Sequence, residues 1–397
     1  MTMAADKQDK VLNVPNLRFP EFNGEWVKYR VSDVLDFYST NSLSWDQLEY
    51  NTDELQNLHY GLIHVGLPTA VDMNESILPN IKKEFLPKNY ELCKNGDVAF
   101  ADASEDTNEV AKAIEFVNLS NRNVVCGLHT IHGRDNHNLT SVGFKGYAFA
   151  SESFHNQIRR IAQGTKIFSI SCKNFTECYI GIPSKEEQTK IAKLLGLIDE
   201  RISTQIRIIE DLKQLRSALY YQIFSNIQGN WVTLKMVGDI AKGKQINGSE
   251  LLDEGMYYVM NGGITPSGYY NNYNTPANTI SISEGGNSCG YVQYNSVPFW
   301  SGGHCYNLRI KKSFDSQYIF HFLKFKELDI MALRIGSGLP NIQKKDLEHF
   351  QVLVPDFTTQ KKVAGLFVLI NKKEETEMKL MNAWKMQKKY LLQKLFI

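Results

Sequence analysis

The sequence has 397 residues, of which 43% are hydrophobic, and its 44 Lys and Arg nearly balance its 43 Asp and Glu. This length suits two or three domains and this composition is that of a folded chain, so a single small domain and a disordered chain are excluded. The chain has no overall basic field, and any surface that binds nucleic acid must therefore be local.

The N-terminal tail, 1–16, begins with a polar stretch that lacks the apolar core of a signal peptide. No segment reaches the roughly 18 consecutive apolar residues of a membrane helix, so we expect a cytoplasmic protein. The six cysteines are widely spaced and include no Cys-x-x-Cys pair. Neither a zinc knuckle nor a disulfide framework is therefore predicted.

The first globular domain, 17–181, has alternating strand-like runs between turn residues, which predicts an α/β domain. His129, His132 and His137 have no cysteine or acidic partner at ligand spacing. We therefore predict loop histidines and no metal site. A faint similarity links Cys126-Gly127-Leu128-His129 with Ser301-Gly302-Gly303-His304, and if it is real, the two globular domains share a fold.

A long helix is predicted over 182–225, and the chain repeats it over 354–397, 172 residues later. Pro183 and Ser184 provide a breaker and an N-cap in the first copy. Pro355 and Asp356 do so in the second. Each helix has about 40 residues and is therefore roughly 60 Å long.

Apolar residues at 3-4 spacing predict a coiled-coil seam along both helices. The seam positions are Leu195, Ile198, Ile202, Gln205, Ile209, Leu212, Arg216, Leu219 and Ile223, and then Phe367, Ile370, Glu374, Glu377, Met381, Trp384, Lys388, Leu391 and Leu395. If the helices pack antiparallel, Arg216 lies near Glu374 and Lys388 lies near Ile202. The alternative, two unrelated core helices, is less favoured because seam and register are repeated together.

The second globular domain, 226–353, opens with Gly229-Asn230-Trp231, a counterpart of Gly24-Glu25-Trp26 at an offset of 205. Between Tyr257 and Asn307 it has eight Tyr and eight Asn but no Lys or Arg. Asn and Gln can read adenine, and Tyr gives rigid contact area, so a neutral polar centre between basic flanks fits a DNA reader. A Tyr- and Gly-rich β-domain with hydrated loops is the alternative on composition.

The candidate DNA contacts are cations or polar side chains of the two globular domains. They are Lys82, Lys83, His129, Arg134, Lys145, Lys242, Lys244, Gln245, Asn261, Asn287, His304, Arg309 and Lys311.

Catalytic signatures are absent from the sequence. The segment Gly238–Gln245 approaches a phosphate-binding loop, but Gln245 stands where Ser or Thr would hold magnesium. No Pro-Pro pair or Gly-x-Gly-x-x-Gly loop occurs. We therefore predict a protein that reads but does no chemistry.

The order of two variable domains and two repeated helices resembles the specificity subunit of type I restriction-modification enzymes. The resemblance covers residues 17–396 and includes the Gly-x-Trp segments and the helix openings Gln188–Ala192 and Gln360–Ala364. Each of these motifs alone is weak evidence for the family. Their occurrence twice, in the same order, is specific evidence. One departure is Thr359 at the position of Glu187, which puts the second helix cap in doubt.

The resemblance implies a fold of two target recognition domains separated by two long helices that form an antiparallel coiled coil with pseudo-twofold symmetry. Each domain would read one half of a split, asymmetric DNA target, and the coiled coil would set the separation of the halves. The partners would be two methyltransferase subunits and restriction subunits. The methyltransferase subunits would use S-adenosylmethionine to methylate adenine at N6, and the complex would use ATP and magnesium.

A scaffold whose domains bind protein or glycan is the competing interpretation, because Tyr-, Asn- and Gly-rich surfaces also serve those partners. Only DNA binding should weaken steeply with salt.

Overall fold

The computed structural model describes residues 13–52, 55–119, 122–336 and 340–397. These residues form two compact units. The first comprises the described residues up to Gln205 together with Leu380–Ile397, and the second comprises those within Ile206–Lys379. Residues 1–12 of the predicted tail lie outside the described residues. Near the end of that tail, the carbonyl oxygen of Asn13 accepts a hydrogen bond from the backbone N–H of Trp26 at 2.8 Å.

The first unit mixes short helices and strands. Its helices are α1 (Val31–Val34), α2 (Tyr60–His64), α3 (Phe144–Phe149), α4 (Glu152–Ile161), α5 (Cys172–Thr176) and α6 (Lys185–Asn226), the last of which is divided between the units. Its strands are β1 (Val27–Arg30), β2 (Asp36–Tyr38), β3 (Leu48–Glu49), β4 (Gln56–Leu58), β5 (Ala70–Asp72), β6 (Asn80–Ile81), β7 (Val98–Ala101), β8 (Ala103–Ser104), β9 (Ala113–Val117), β10 (Val124–Cys126), β11 (Thr130–Arg134), β12 (Phe168–Ser169) and β13 (Tyr179–Ile182). Single 3-10 turns lie at Trp45–Gln47 and Lys83–Phe85.

Two sheets form the centre of the first unit. One has the strand order β2-β11-β7-β9-β5 and the other β10-β4-β6-β3, while β1 pairs with β13 and β12 with β8. Every residue of β7 is buried, as expected for a strand covered on both faces. Helix α3 is also buried throughout and packs on β9.

The second unit has the same kinds of element. Its further helices are α7 (Leu234–Val237), α8 (Ser316–Phe325), α9 (Glu327–Met331), α10 (Lys344–His349) and α11 (Phe357–Lys394), the last of which is also divided between the units. Its strands are β14 (Asn230–Thr233), β15 (Gly238–Lys242), β16 (Tyr257–Met260), β17 (Gly268–Tyr270), β18 (Thr279–Ser283), β19 (Val292–Asn295), β20 (Trp300–Ser301), β21 (Cys305–Ile310) and β22 (Gln351–Val354), with a 3-10 turn at Gly248–Glu250. The strand orders are β15-β21-β18-β19, β17-β16-β20 and β14-β22. The predicted α/β class is confirmed.

The repeat predicted from the sequence appears as a recurring strand pair. In each copy the opening segment forms a strand that pairs antiparallel with the strand preceding the long helix, β1 with β13 and β14 with β22. Gly229 is needed in the second copy because a Cβ there would lie 2.7 Å from the backbone of Val354. The ends of each globular insert are thereby brought side by side.

Both long helices begin with the predicted caps. The backbone N–H of Glu187 donates to Ser184 Oγ at 3.3 Å, and that of Thr359 donates to Asp356 Oδ1 at 3.1 Å, so the second cap forms despite the departure at Thr359. The two copies also differ at the tryptophan of the opening segment. Trp26 donates its indole N–H to Glu187 and is 2% exposed, whereas Trp231, whose copy has Thr359 at that position, is 59% exposed.

All eighteen predicted seam positions are buried or partly buried. In the first unit, Lys388 Nζ lies 2.7 Å from Asp199 Oδ1, one helical turn before Ile202. In the second unit, Arg216 forms an ion pair with Glu374, and Phe224 stacks on Phe367 with 5.9 Å between ring centroids. Within the second unit these contacts ascend α6 as they descend α11, so the two helix segments there run antiparallel. Neither these two nor any other described helix is apolar over a length that would cross a bilayer.

Candidate nucleic-acid interface

Six of the eight candidate contacts of the second domain line two clefts beside the sheet β15-β21-β18-β19. Arg309 lies opposite Asp239, and Asn307 lies opposite Ala241, so Asn307 and Arg309 project to the same face. A cleft of about 360 Å³ forms there. It is called the basic cleft, and its polar lining consists of Asp239, Lys242, Lys244, Asn274, Thr275, Thr279, Asn307 and Arg309.

A second cleft, of about 670 Å³, shares Lys242 with the first. It is called the asparagine cleft, and its polar side chains are Lys242, Asn261, Glu284, Asn287, Ser288, His304 and Asn341. Lys242 Nζ lies 2.7 Å from Glu284 Oε1, and His304 Nδ1 lies 4.0 Å from Glu284 Oε2. The two clefts thus combine cations, amides and two carboxylates, those of Asp239 and Glu284.

The segment that carries these cations is held by its backbone. The N–H of Lys244 donates to Ser301 O at 2.8 Å, and its carbonyl accepts from the Trp300 indole at 2.9 Å. Gly243 permits this approach, since a Cβ there would lie 2.1 Å from Gly302 O. The side chain of Lys244 itself is exposed and available for a ligand.

The carboxylate of Glu284 lies beside a tyrosine hydroxyl. The oxygen of that hydroxyl, on Tyr306, lies 3.1 Å from Glu284 Oε1 and 3.1 Å from Ile342 O, so its one hydrogen can be donated to either acceptor. Burial and the charge of Glu284 raise the pKa of Tyr306 to about 12, so this hydroxyl keeps its proton at neutral pH.

The first unit has an equivalent edge. Strand β11 lies between β2 and β7 just as β21 lies between β15 and β18. His129 and His304 precede these central strands, and their carbonyls accept from the N–H groups of Asp102 and Glu284 at 3.1 and 2.9 Å. His129 Nδ1 also lies 3.1 Å from Asp102 Oδ1. The similarity seen between the two histidine segments therefore reflects a shared strand arrangement.

The remaining candidates are scattered. Lys82 Nζ donates to Asp46 O at 2.5 Å, and Lys83 is exposed on a 3-10 turn. Gln245 is exposed beside Gly303. Lys311 lies outside both clefts, because its ammonium donates to two carbonyls in α7, those of Lys235 and Met236.

Two candidate phosphate contacts of the first domain are instead internal. The side chain of Arg134 is 7% exposed and pairs with Asp97 and Glu91. The side chain of Lys145 is 3% exposed, with its ammonium 3.1 Å from Glu115, whose pKa is raised above its ordinary value by burial. Both cations balance buried carboxylates, so their placement indicates a structural role.

The prediction of loop histidines is wrong for His132. It lies in β11, is completely buried, and has a ring nitrogen within 4.8 Å of the sulfurs of Cys93 and Cys126. The positions of the three residues along the chain did not reveal that Cys93 and Cys126 are neighbours of His132, because the three come from separate segments. His129 and His137 are exposed, as expected of loop residues.

Asn274, Asn307 and Asn341 line the clefts but are not among the candidates derived from the sequence. Asn307 could have been found, since the two-residue period of β21 places it on the face of Arg309. Asn341 lies far along the chain from the other residues of the asparagine cleft, and no local pattern marks it.

Comparison with known proteins gives one family. Residues 229–383 match the family model described as the type I restriction modification DNA specificity domain. A putative type I specificity subunit of Mycoplasma genitalium is 27% identical over 71% of this chain and 78% of the relative. One of Mycoplasma pneumoniae is 33% identical over 35% of this chain and 38% of the relative.

Solved structures agree in fold. The crystal structure of a type I restriction-modification system S subunit from M. genitalium has a TM-score of 0.64 at 21% identity and covers 97% of this chain and 99% of its own. A structure described as underlying assembly and conformational transition of the type I R-M system has a TM-score of 0.57 at 15% identity over 92% of this chain and 96% of its own. The resemblance noted in the sequence is confirmed.

Proposed function

We infer that this chain, whose residues 229–383 match the type I restriction modification DNA specificity domain, is a specificity subunit of the type I restriction-modification family. Its function is to recognise DNA sequence. In this family role the chain carries no catalytic residues of its own, in accord with the missing catalytic motifs of the sequence.

The observation that carries this proposal is the grouping of the basic cleft with the asparagine cleft. Lys244 and Arg309 can neutralise phosphates, which fixes the position of the duplex without selecting a sequence. Asn261 and Asn287 offer amides that can pair with adenine at its N6 and N7 atoms. Positioning charges thus lie beside groups able to read bases, and Lys242 belongs to both clefts.

A bipartite target is part of this proposal, and the shared strand arrangement of the two units supports it. Each presents a histidine and an acidic residue at the same place, His129 with Asp102 and His304 with Glu284. Around the second pair the clefts add Lys242 and several asparagines. Two similar edges with different side chains support two half-sites of different sequence.

Docking of methyltransferase and restriction subunits is part of the same proposal. Large apolar side chains are exposed on α6 and α11, among them Leu197, Leu215, Leu369, Met386 and Tyr390. These exposed apolar side chains are available for contact with a partner protein. S-adenosylmethionine, ATP and magnesium would act in those partner subunits, and the complex would work in the cytoplasm.

The first test is DNA binding by the full chain across a salt series. We expect Lys244→Met to weaken binding to all sequences alike and to reduce the slope of log affinity against log salt by about 1, because one phosphate contact is lost.

Lys311→Met is the matched control, because that lysine is exposed in the same unit but donates to α7. It should leave both affinity and slope unchanged. A salt slope that Lys244→Met leaves unaltered would show that the basic cleft is not part of the DNA interface. If the wild-type chain shows no salt-dependent DNA binding, the competing interpretation of a protein or glycan ligand is favoured.

A further inference from the structure

Two cysteines and a histidine meet inside the first unit, where the proposed function assigns them no role. Cys93 Sγ lies 3.6 Å from Cys126 Sγ, and a ring nitrogen of His132 lies within 4.8 Å of both. Each of the three residues is at most 4% exposed. We propose that Cys93, Cys126 and His132 bind one Zn²⁺ ion.

The distance between the sulfurs suits a shared metal ion. Two thiolates bound to tetrahedral zinc at about 2.3 Å are separated by about 3.8 Å. A disulfide would bring the sulfurs to about 2.05 Å. The observed 3.6 Å is close to the first value and well beyond the second.

The histidine is prepared as a ligand. Its Nε2 lies 2.7 Å from Asp97 Oδ2, while Nδ1 is buried without a hydrogen-bond partner among the described residues. A carboxylate on one nitrogen holds the proton there and directs the lone pair of the other nitrogen outward, as is usual for metal-bound histidines. A metal at Nδ1 would also remove the cost of an unsatisfied buried nitrogen.

The surrounding charges allow a dication to be buried. Two thiolates neutralise Zn²⁺, the imidazole ligand is neutral, and Arg134 balances Asp97 with three hydrogen bonds of 2.8 to 3.2 Å. Sulfur and imidazole donors favour zinc over magnesium or calcium, which prefer oxygen. Three protein ligands leave the fourth position of the tetrahedron to a water molecule.

The site would join the two sheets of the first unit. Cys126 ends β10 in one sheet, and His132 lies in β11 of the other. The connection between them carries His129, so the metal would fix the loop that presents this candidate DNA contact. At the equivalent places the second unit has Ser301 and Asn307, which are poor zinc ligands, so we expect one zinc ion per chain.

Cobalt titration of the metal-free full chain under reducing conditions tests the proposal. Bound through thiolates, Co²⁺ should produce a near-ultraviolet sulfur-to-metal charge-transfer band that saturates at one ion per chain and disappears on adding Zn²⁺. The band should be absent from Cys93→Ser and from Cys126→Ser. Cys172→Ser, which changes an exposed thiol of the same unit, should retain it.

Each outcome decides the proposal. A wild-type chain that gives no thiolate band, or an undiminished band in either buried-cysteine variant, overturns it, as does a disulfide that peptide mass mapping finds between Cys93 and Cys126. Circular dichroism shows whether the variants fold. If they do not, the wild-type titration decides alone, and a melting temperature raised by Zn²⁺ and lowered by a chelator provides the second readout.

Discussion

His321 is a buried histidine of α8 whose environment opposes its charge. Its Nδ1 lies 2.7 Å from the hydroxyl of Tyr220, and its Nε2 is buried without a partner among the described residues. Burial and the nearby charge of Arg216 lower the pKa of His321 to about 3. The imidazole is therefore neutral in the folded protein at every pH at which the protein is normally handled.

This shift makes stability depend on pH. Below about pH 6.5 the unfolded chain binds a proton at His321 that the folded chain does not, so the free energy of unfolding should fall as the pH drops toward 3. His321→Asn should remove up to about 1.4 kcal/mol per pH unit of this slope between pH 6 and 4.5. Urea unfolding at several pH values measures it.

The exposed His349→Asn is the matched control for loss of a histidine in the same unit. If wild type and His321→Asn lose stability in parallel as the pH falls, His321 takes up its proton in the folded state.

The roles of two cations in the first domain could not be predicted from the sequence. Arg134 is separated from Asp97 by 37 residues, and Lys145 from Glu115 by 30, yet each pair is buried. Cations read from the sequence alone suggest surface charge, because burial is set by strand pairing between distant segments. The cluster of Cys93, Cys126 and His132 was missed for the same reason.

The long helices were predictable because their signals are local. The caps at Ser184 and Asp356, and the 3-4 spacing of the seam, lie within a few residues of the structure that they specify. The inserts depend on non-local pairing, such as β5 with β9 or β16 with β20, in which no short pattern identifies the partner. The internal repeat supplied part of the missing information, because it showed where each insert begins and ends.

The ion pair of Arg216 with Glu374 tests the helix pairing in the second unit. Both side chains are partly buried, 28% and 12% exposed, and Arg216 also donates to Asn371 at 3.1 Å. A double-mutant cycle with Arg216→Met and Glu374→Gln should give a coupling energy of about 0.5 to 1 kcal/mol in urea unfolding.

The same cycle between Arg216 and Glu375 is the control, because Glu375 is the exposed neighbour of Glu374 along α11. It should show no coupling. Equal coupling in both cycles would reflect the general charge of the helix and not a specific pair.

At the scale of the whole molecule, the second insert should be exchangeable. Its ends meet in the strand pair β14–β22. Replacing residues 232–353 by the corresponding segment of a type I specificity subunit keeps Asn230 and Val354, which lie opposite each other in that pair, while the incoming segment supplies the rest of both strands. We expect the chimera to change one half of the DNA target only. Methylome sequencing of cells with the chimera and with the parent measures this.

An exchange that retains α7 and α10 of the parent, which pack together, is the conservative version. Alteration of both halves by either chimera would contradict modular recognition.

The last residues of the chain complete the first unit. Leu391, Leu395 and Phe396 belong to its core, and the ring of Phe396 contacts Trp26 and Phe144. A ribosome that has finished Gln205 must still synthesise the whole second unit before these side chains emerge, which takes roughly 10 to 35 seconds at about 5 to 20 residues per second. Throughout that interval the core of the nascent first unit lacks these side chains, so chaperones that shield growing polypeptides should determine how much folded protein a cell obtains.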